Sequence, residues 1–459
     1  MLNEFFTLCG FDATEVENER PRIEKAFMIA NISQEDEERA HDRVLEFFDT
    51  ELVGVRKVLG IYLKQFVDLV LAREEGKKIV YSVYPPVARL GVATTLTSQD
   101  VYCHAPEVVV DIVMGQIFGK LDSILETAEV NGLPPGIAQC SLNQARVGAI
   151  ASGLVPVPDI TLSAGFFCDQ SPKVDDLLHE VYGVENVFVD ACMDSSWGEF
   201  PEISPRRVQY FAEEQRRARE KIGRTLEIEI TDDSLRQAAK EYGKLWYVMQ
   251  QVLQMMKNDP QPISSVDLGL FYWMISSPER QTLQNGLQAL QILAREVKHR
   301  VNEGKGVVQK GAPRVAWTIP HATDPGIMHM VEGCGLSIPV IVFAAVTPGE
   351  MVKSQYPTPE ERSAESELRY GVYHSLSGLI YRYKSVCEAW NVDGFIQANH
   401  YSCRCSYGSL ITKKVVESDL NLPVLDLEWD AYDSRSHNVE KLKTKIETFG
   451  EVLLAKQSH

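Results

Sequence analysis

Hydrophobic and polar positions change their period several times along the chain. Residues 1–75 are rich in charge and helix formers, and "SQEDEERAHDRVLEFFDTELVGVRKVLGIYLKQFVDLVL" carries apolar residues at helical spacing. Beyond residue 76 come short apolar runs, "KKIVYSV" (77–83), "DITLSA" (159–164) and "NVFVDA" (186–191), set between helical segments. That alternation predicts buried strands in parallel βα units. After a break at "SSWGEFPEISPRR", residues 205–305 predict helices and no strand. There Leu235, Ala238, Tyr242, Leu245, Met249, Val252 and Met256 recur three and four apart, the stripe of a helix packing on a core. A second alternating region opens at "GAPRVAWTIPHATDPGIMHMVEGCGLSIPVIVFAA", which predicts strand (314–319), helix, strand (338–345). "DGFIQAN" (393–399) and "LPVLDLEWD" (422–430) predict two more strands before a helical C-terminus. The expected fold is α/β: a helical N-terminal segment (1–75), a first α/β domain (76–204), a helical region (205–305) and a second α/β domain (306–459). Both α/β domains are expected to be Rossmann-like with parallel sheets; no internal repeat is obvious by eye.

Composition narrows the function classes. A net charge of −18 over 459 residues argues against general binding to nucleic acid or to an anionic membrane, since both need a basic surface. The longest plainly apolar stretch, 338–346, is far short of the roughly 20 residues that span a bilayer. The opening "MLNEFFTLCGFDATEVENER" is acidic where a signal peptide is basic. A cytoplasmic protein is expected, and its nine cysteines are then thiols or metal ligands, not disulfides.

Three cysteines share a position. In "DITLSAGFFCDQSPKVDDLLHEVYG", Cys168 stands between a strand's C-terminal end and a helix start. Cys140, in "GIAQCSLNQARVGAIASG", precedes a helical stretch, and Cys403, in "DGFIQANHYSCRCSYGSLITKKVVE", again lies between strand and helix. A helix N-terminus favours thiolate, the form that binds metal, so these three are the candidate ligands. Cys9, Cys192, Cys334 and Cys387 read as small apolar fillers. No C-x-x-C pair is present, which argues against a zinc ribbon or a bacterial-ferredoxin cluster. The sequence also lacks a phosphate-binding G-x-x-x-x-G-K-[ST] loop, a G-x-G-x-x-G fingerprint after a strand, H-E-x-x-H and G-x-S-x-G. His321, His329 and His400 lie near strand ends and read as structural.

These segments together resemble the iron–sulfur subunits of 2-hydroxyacyl-CoA dehydratases and the related ATP-dependent benzoyl-CoA reductases. The resemblance runs from about residue 75 onward and rests on "CSLNQARVGAI", "VPVPDITLSAGFFCD", "PRVAWTIPHATDPGIMHMVEGCGLSIPVIVF", "VDGFIQANHYSCRCSYGSLITKKV" and "LPVLDLEWDAYDSRSHNVEKLKTKIETF". Length and the helical middle resemble the larger, alpha-type subunit. The resemblance implies a [4Fe–4S] cluster on Cys140, Cys168 and Cys403, with one iron corner free of protein sulfur. It implies an acyl-CoA substrate, a homologous second iron–sulfur subunit and a separate ATP-dependent iron–sulfur activator. The implied reaction is one-electron reduction of the thioester to a ketyl radical, expulsion of the 2-hydroxyl and formation of an enoyl-CoA under anaerobic conditions. Cys405 and Cys103 are alternatives for closing the fourth corner, although the two-residue spacing of Cys403 and Cys405 argues against Cys405. Arg146, Arg314 and Arg404 are the arginines near these segments that CoA phosphates could meet. The rival expectations are a benzoyl-CoA reductase subunit and, from another class, a non-enzymatic metal-binding module such as a zinc protein.

Overall fold

The structure, a computed structural model, describes residues 2–83, 87–134, 139–165, 168–193, 195–275, 277–318, 324–345, 353–370, 375–400, 403–406 and 408–457. Among these are two four-stranded sheets. β1 (Lys78–Ser82), β2 (Val101–His104), β3 (Ile160–Ala164) and β4 (Glu185–Val189) form the first, in the order β2-β1-β3-β4. β5 (Arg314–Trp317), β6 (Ser337–Ile341), β7 (Gly394–His400) and β8 (Val424–Trp429) form the second, in the order β6-β5-β7-β8. Every pairing is parallel, and the order is the same in both sheets. The α/β expectation is met, and one strand plan is used twice. β3 and β6 are buried at every position, as parallel strands covered by helices on both faces require.

The polar segments fold as the helical period demands. Helices Ala13–Ile29 and Gln34–Phe47 open with capping boxes at Asp12 and Ser33. Helix Val53–Leu71 packs on helix Arg280–Glu303, and a Cβ at Gly54 would lie 2.7 Å from Leu293 Cβ. The Glu296 carboxylate accepts the N–H groups of Val53 and Gly54 at 2.8 and 3.0 Å, a negative charge placed on a helix N-terminus. In helix Asp232–Met255 the predicted stripe is core: Ala238, Tyr242, Leu245, Met249 and Val252 are buried, as is Met256 just beyond it.

Two departures from expectation exceed a residue or two at a strand end. β2 went unpredicted because "VYCH" is only four residues long and all four are buried, so no alternation marks it. The predicted strand 338–345 stops at Ile341, and the chain turns back with the Ala344 and Ala345 N–H groups both donating to the Ile341 carbonyl. The apolar run continues because that turn is itself buried, its Val342 and Ala345 carbonyls accepting from the buried Arg382 guanidinium.

Helix Ser141–Ala151, which Cys140 opens, is pressed against helix Asp122–Val130. A Cβ on Gly148 would stand 1.9 Å from the Ile124 carbonyl oxygen, a backbone atom that cannot swing away. Gly148→Ala is expected to destabilise the protein by about 3 kcal/mol or more, at the upper end of overpacking effects. A urea-unfolding midpoint equal to that of the parent would contradict this packing.

Candidate metal centre

In open parallel sheets, ligands collect beyond the C-terminal strand ends, where the strand order reverses. In this chain that point lies between β1 and β3 and again between β5 and β7. Cys168 follows β3 and Cys403 follows β7, so the two occupy matching places in the two halves. Cys140 is the N-cap residue of the helix that leads into β3.

Local backbone explains each placement. Cys140 has extended φ and ψ of −84° and 156°, so the chain turns into helix at the next residue, and its Sγ lies 3.5 Å from Asn143 Nδ2. Cys168 lies just before helix Gln170–Tyr182, and the Ser171 N–H donates to its Sγ at 3.4 Å. Cys403 heads a tight turn: its N–H donates to the His400 carbonyl, its own carbonyl accepts from Ser406 N–H, and His400 N–H donates to Ser406 Oγ at 2.9 Å.

The three thiols feel one another. Burial pushes the Cys140 thiol well above its ordinary range, and negative charge on Cys168, Asp430 and Cys403 pushes it further. Burial likewise raises Cys168, to about 11, against the opposing N–H groups of Ser171 and Gln170, with Cys403 adding to the rise. With no cation beside them, the Cys140 and Cys168 thiols are raised despite the helix starts next to them. Desolvation outweighs the helix-end field, and ionised sulfur here needs a cation beside it.

Side chains from both halves hold the turns in place. Asp430, directly after β8, accepts the Ser141 N–H at 3.3 Å and the Ser141 hydroxyl at 2.5 Å, tying the second sheet to the helix start at Cys140. Its carbonyl accepts from His437 Nε2. His400 is buried; its Nδ1 accepts the Ala431 N–H at 2.9 Å, which leaves the proton on Nε2. Burial lowers its pKa, so the imidazole is neutral at pH 7. Among the described residues Nε2 has no hydrogen-bond partner. In the first half, Cys140 N–H donates to Gln170 Oε1 at 3.1 Å.

Other expectations resolve differently. Arg146 is fully buried and Arg314 begins β5, at the opposite strand end from Cys403, so neither stands where a phosphate would meet it beside the cysteines. Cys103 is buried within β2 against Gly91, and the groups acting on its thiol are Glu279 and the Ser82 backbone, not the other cysteines. Cys192 is no apolar filler: it is exposed at φ 49°, in a turn held by its N–H to Asp190 Oδ1. Cys9 and Cys387 are buried, as expected of fillers, and the His329 ring bonds the Phe47 carbonyl, a structural role. His321 and the Cys405 side chain lie outside the described residues. Asp430, Gln170 and Ser171 were not singled out from sequence; only the acidic end of "LPVLDLEWD" pointed to the first.

Among the described residues no three His, Cys, Asp or Glu side chains form a group able to hold a metal ion. A cubane asks for something different, because each thiolate meets its own iron and the sulfurs stand round a cluster. Three half-buried thiols, with the Ser171 N–H directed at Cys168 Sγ and the Asn143 side chain beside Cys140 Sγ, suit that donor set.

Residues 102–453 match the 2-hydroxyglutaryl-CoA dehydratase D-component family, and the chain belongs to it. It is a 2-hydroxyacyl-CoA dehydratase-type subunit. Among curated proteins it is similar to the (R)-phenyllactyl-CoA dehydratase alpha subunit of Clostridium sporogenes, 22% identical over 405 residues that cover 84% of this chain and 92% of that one. No helix among the described residues is long and apolar enough to cross a membrane.

Proposed function

We propose that this chain is the alpha-type iron–sulfur subunit of a lyase that removes water from a 2-hydroxyacyl-CoA to give an enoyl-CoA, with Cys140, Cys168 and Cys403 holding a [4Fe–4S] cluster. The observation that carries the reading is the gathering of these three cysteines from two sheets, in a chain of dehydratase family. Bound there, such a cluster supplies one-electron chemistry at an iron corner that no protein thiolate fills. The chain's own residues supply position, dryness and charge. Ser171 N–H supports Cys168, Asp430 anchors the helix start at Cys140, and neutral His400 holds a proton at Nε2 beside the Cys403 turn. Both the matched family and the similar protein are dehydratases, which favours elimination over reduction of an aromatic ring.

The same reading includes a cytoplasmic location, a heterodimer with a homologous second iron–sulfur subunit, and a separate ATP-dependent iron–sulfur activator. Protein purified without oxygen is expected to be brown, with iron and sulfide at about four each per chain. With partner subunit, activator, ATP and reductant it is expected to dehydrate one member of a panel that includes 2-hydroxyglutaryl-CoA and phenyllactyl-CoA. A colourless zinc protein would overturn the iron assignment. A brown one that reduces benzoyl-CoA and dehydrates nothing would overturn the reaction.

A further inference from the structure

A guanidinium with no solvent exposure joins the two helices that follow the cysteine turns of the first half. Arg146 lies on the helix that Cys140 opens, and both ends of its fork reach the same residue on the neighbouring helix. Nη1 donates to Ser171 Oγ at 3.1 Å and Nη2 to the Ser171 carbonyl at 3.0 Å. Ser171 is the residue whose N–H points at Cys168 Sγ. Two acids complete the cluster, Asp175 with Oδ1 3.1 Å from Nη2 and Glu107 with Oε1 3.7 Å from Nη1, both without exposure. A second brace crosses the same gap in the other direction, from Cys140 N–H to Gln170 Oε1.

Burying such a group is expensive, and well-packed apolar side chains often serve stability as well or better. What the arginine adds is direction. Its planar fork fixes the side chain and the carbonyl of one residue together, a geometry that a point charge such as lysine cannot reproduce. We propose that Arg146 is a positioning residue of the metal centre: by clamping Ser171 it holds that N–H on Cys168 Sγ and sets the sulfur's place and electron density. This rests on the reading that Cys140 and Cys168 bind a cluster. Hydrogen bonds to ligand sulfur withdraw electron density and raise a cluster's reduction potential, so the clamp acts on potential as well as on shape.

The test uses the anaerobically purified chain and needs no turnover. Arg146→Lys keeps the charge and loses the fork; Ser171→Ala keeps the N–H and loses one anchor of the clamp. Each is assayed for iron and sulfide, for midpoint potential by redox titration, and for the electron paramagnetic resonance of the reduced state. Arg146→Lys is expected to retain iron while its midpoint moves to more negative potential and its resonance changes. Ser171→Ala is expected to shift in the same direction by less, and it carries the test should Arg146→Lys fail to fold. Variants that fold with parental iron, potential and resonance would overturn the inference while leaving the cluster intact. A parent chain that takes up no iron would overturn the cluster itself, a result separable from the first.

Discussion

Alanine in place of Cys140, Cys168 or Cys403, one at a time, is expected to strip iron and sulfide from anaerobically purified protein and to abolish dehydration. Fold loss does not explain such a result in advance. All three are only partly buried, and a typical single substitution changes stability by about 1 kcal/mol. The chemistry explains it. Burial pushes the Cys140 thiol up and the Cys168 thiol to about 11, so neither ionises at neutral pH unless iron compensates. Metal binding and thiol ionisation are one coupled event, and removing one sulfur withdraws a third of the protein's donors from it. Cys387→Ala, at a thiol buried far along helix Leu376–Trp390, is the control and is expected to keep full iron. Retention of iron in all three variants would dismiss the assigned ligands, and loss in the control would show that folding alone is being measured.

The second large effect is an absence of turnover. The chain by itself, given reductant and a 2-hydroxyacyl-CoA, is expected to release no enoyl-CoA, and activity is expected to appear only with the partner subunit, the activator and ATP together. A thioester carbonyl is a poor electron acceptor, so electron delivery has to be coupled to an energy source. The sequence has no phosphate-cradling G-x-x-x-x-G-K-[ST] loop with which to provide that coupling itself. In the proposed reading the activator supplies that coupling, and the electron enters across its contact with this chain. Stepwise omission reads this directly. Turnover by the isolated chain without ATP would refute both the energy-coupled mechanism and the assembly.

What could be read from sequence was the kind of place each cysteine occupies, because strand-to-helix junctions are local. "DITLSA" before Cys168 and "DGFIQAN" before Cys403 are apolar runs that end where turn residues begin, and the structure places both cysteines beyond those strands. Short buried elements were harder. β2 and the turn after Ile341 are both buried at every position, so no alternation separates strand from turn or one strand from its surroundings. Long-range partners were hidden for another reason. Ser141 and Asp430 are 289 residues apart, and no local pattern announces that a carboxylate after one strand will meet a helix start in the other half. Desolvation of the Cys140 and Cys168 thiols is hidden in the same way, because a helix end is visible in sequence and burial is not. Arg146 shows the same limit: as a letter it suggested a surface contact with phosphate, whereas the fold encloses it completely.

The repeated strand order has a further meaning. Each half offers two comparable turns, one at the N-cap of the helix entering its third strand and one directly after that strand. In the first half these carry Cys140 and Cys168. In the second, the later turn carries Cys403, and the helix entering β7 is headed by Ser375, whose hydroxyl lies 3.1 Å from Ser377 Oγ and 3.3 Å from Ser195 Oγ. A doubled scaffold thus sets out four equivalent stations and equips three of them with sulfur. In the proposed reading, a donor set of three goes with a serine at the fourth of these topological positions.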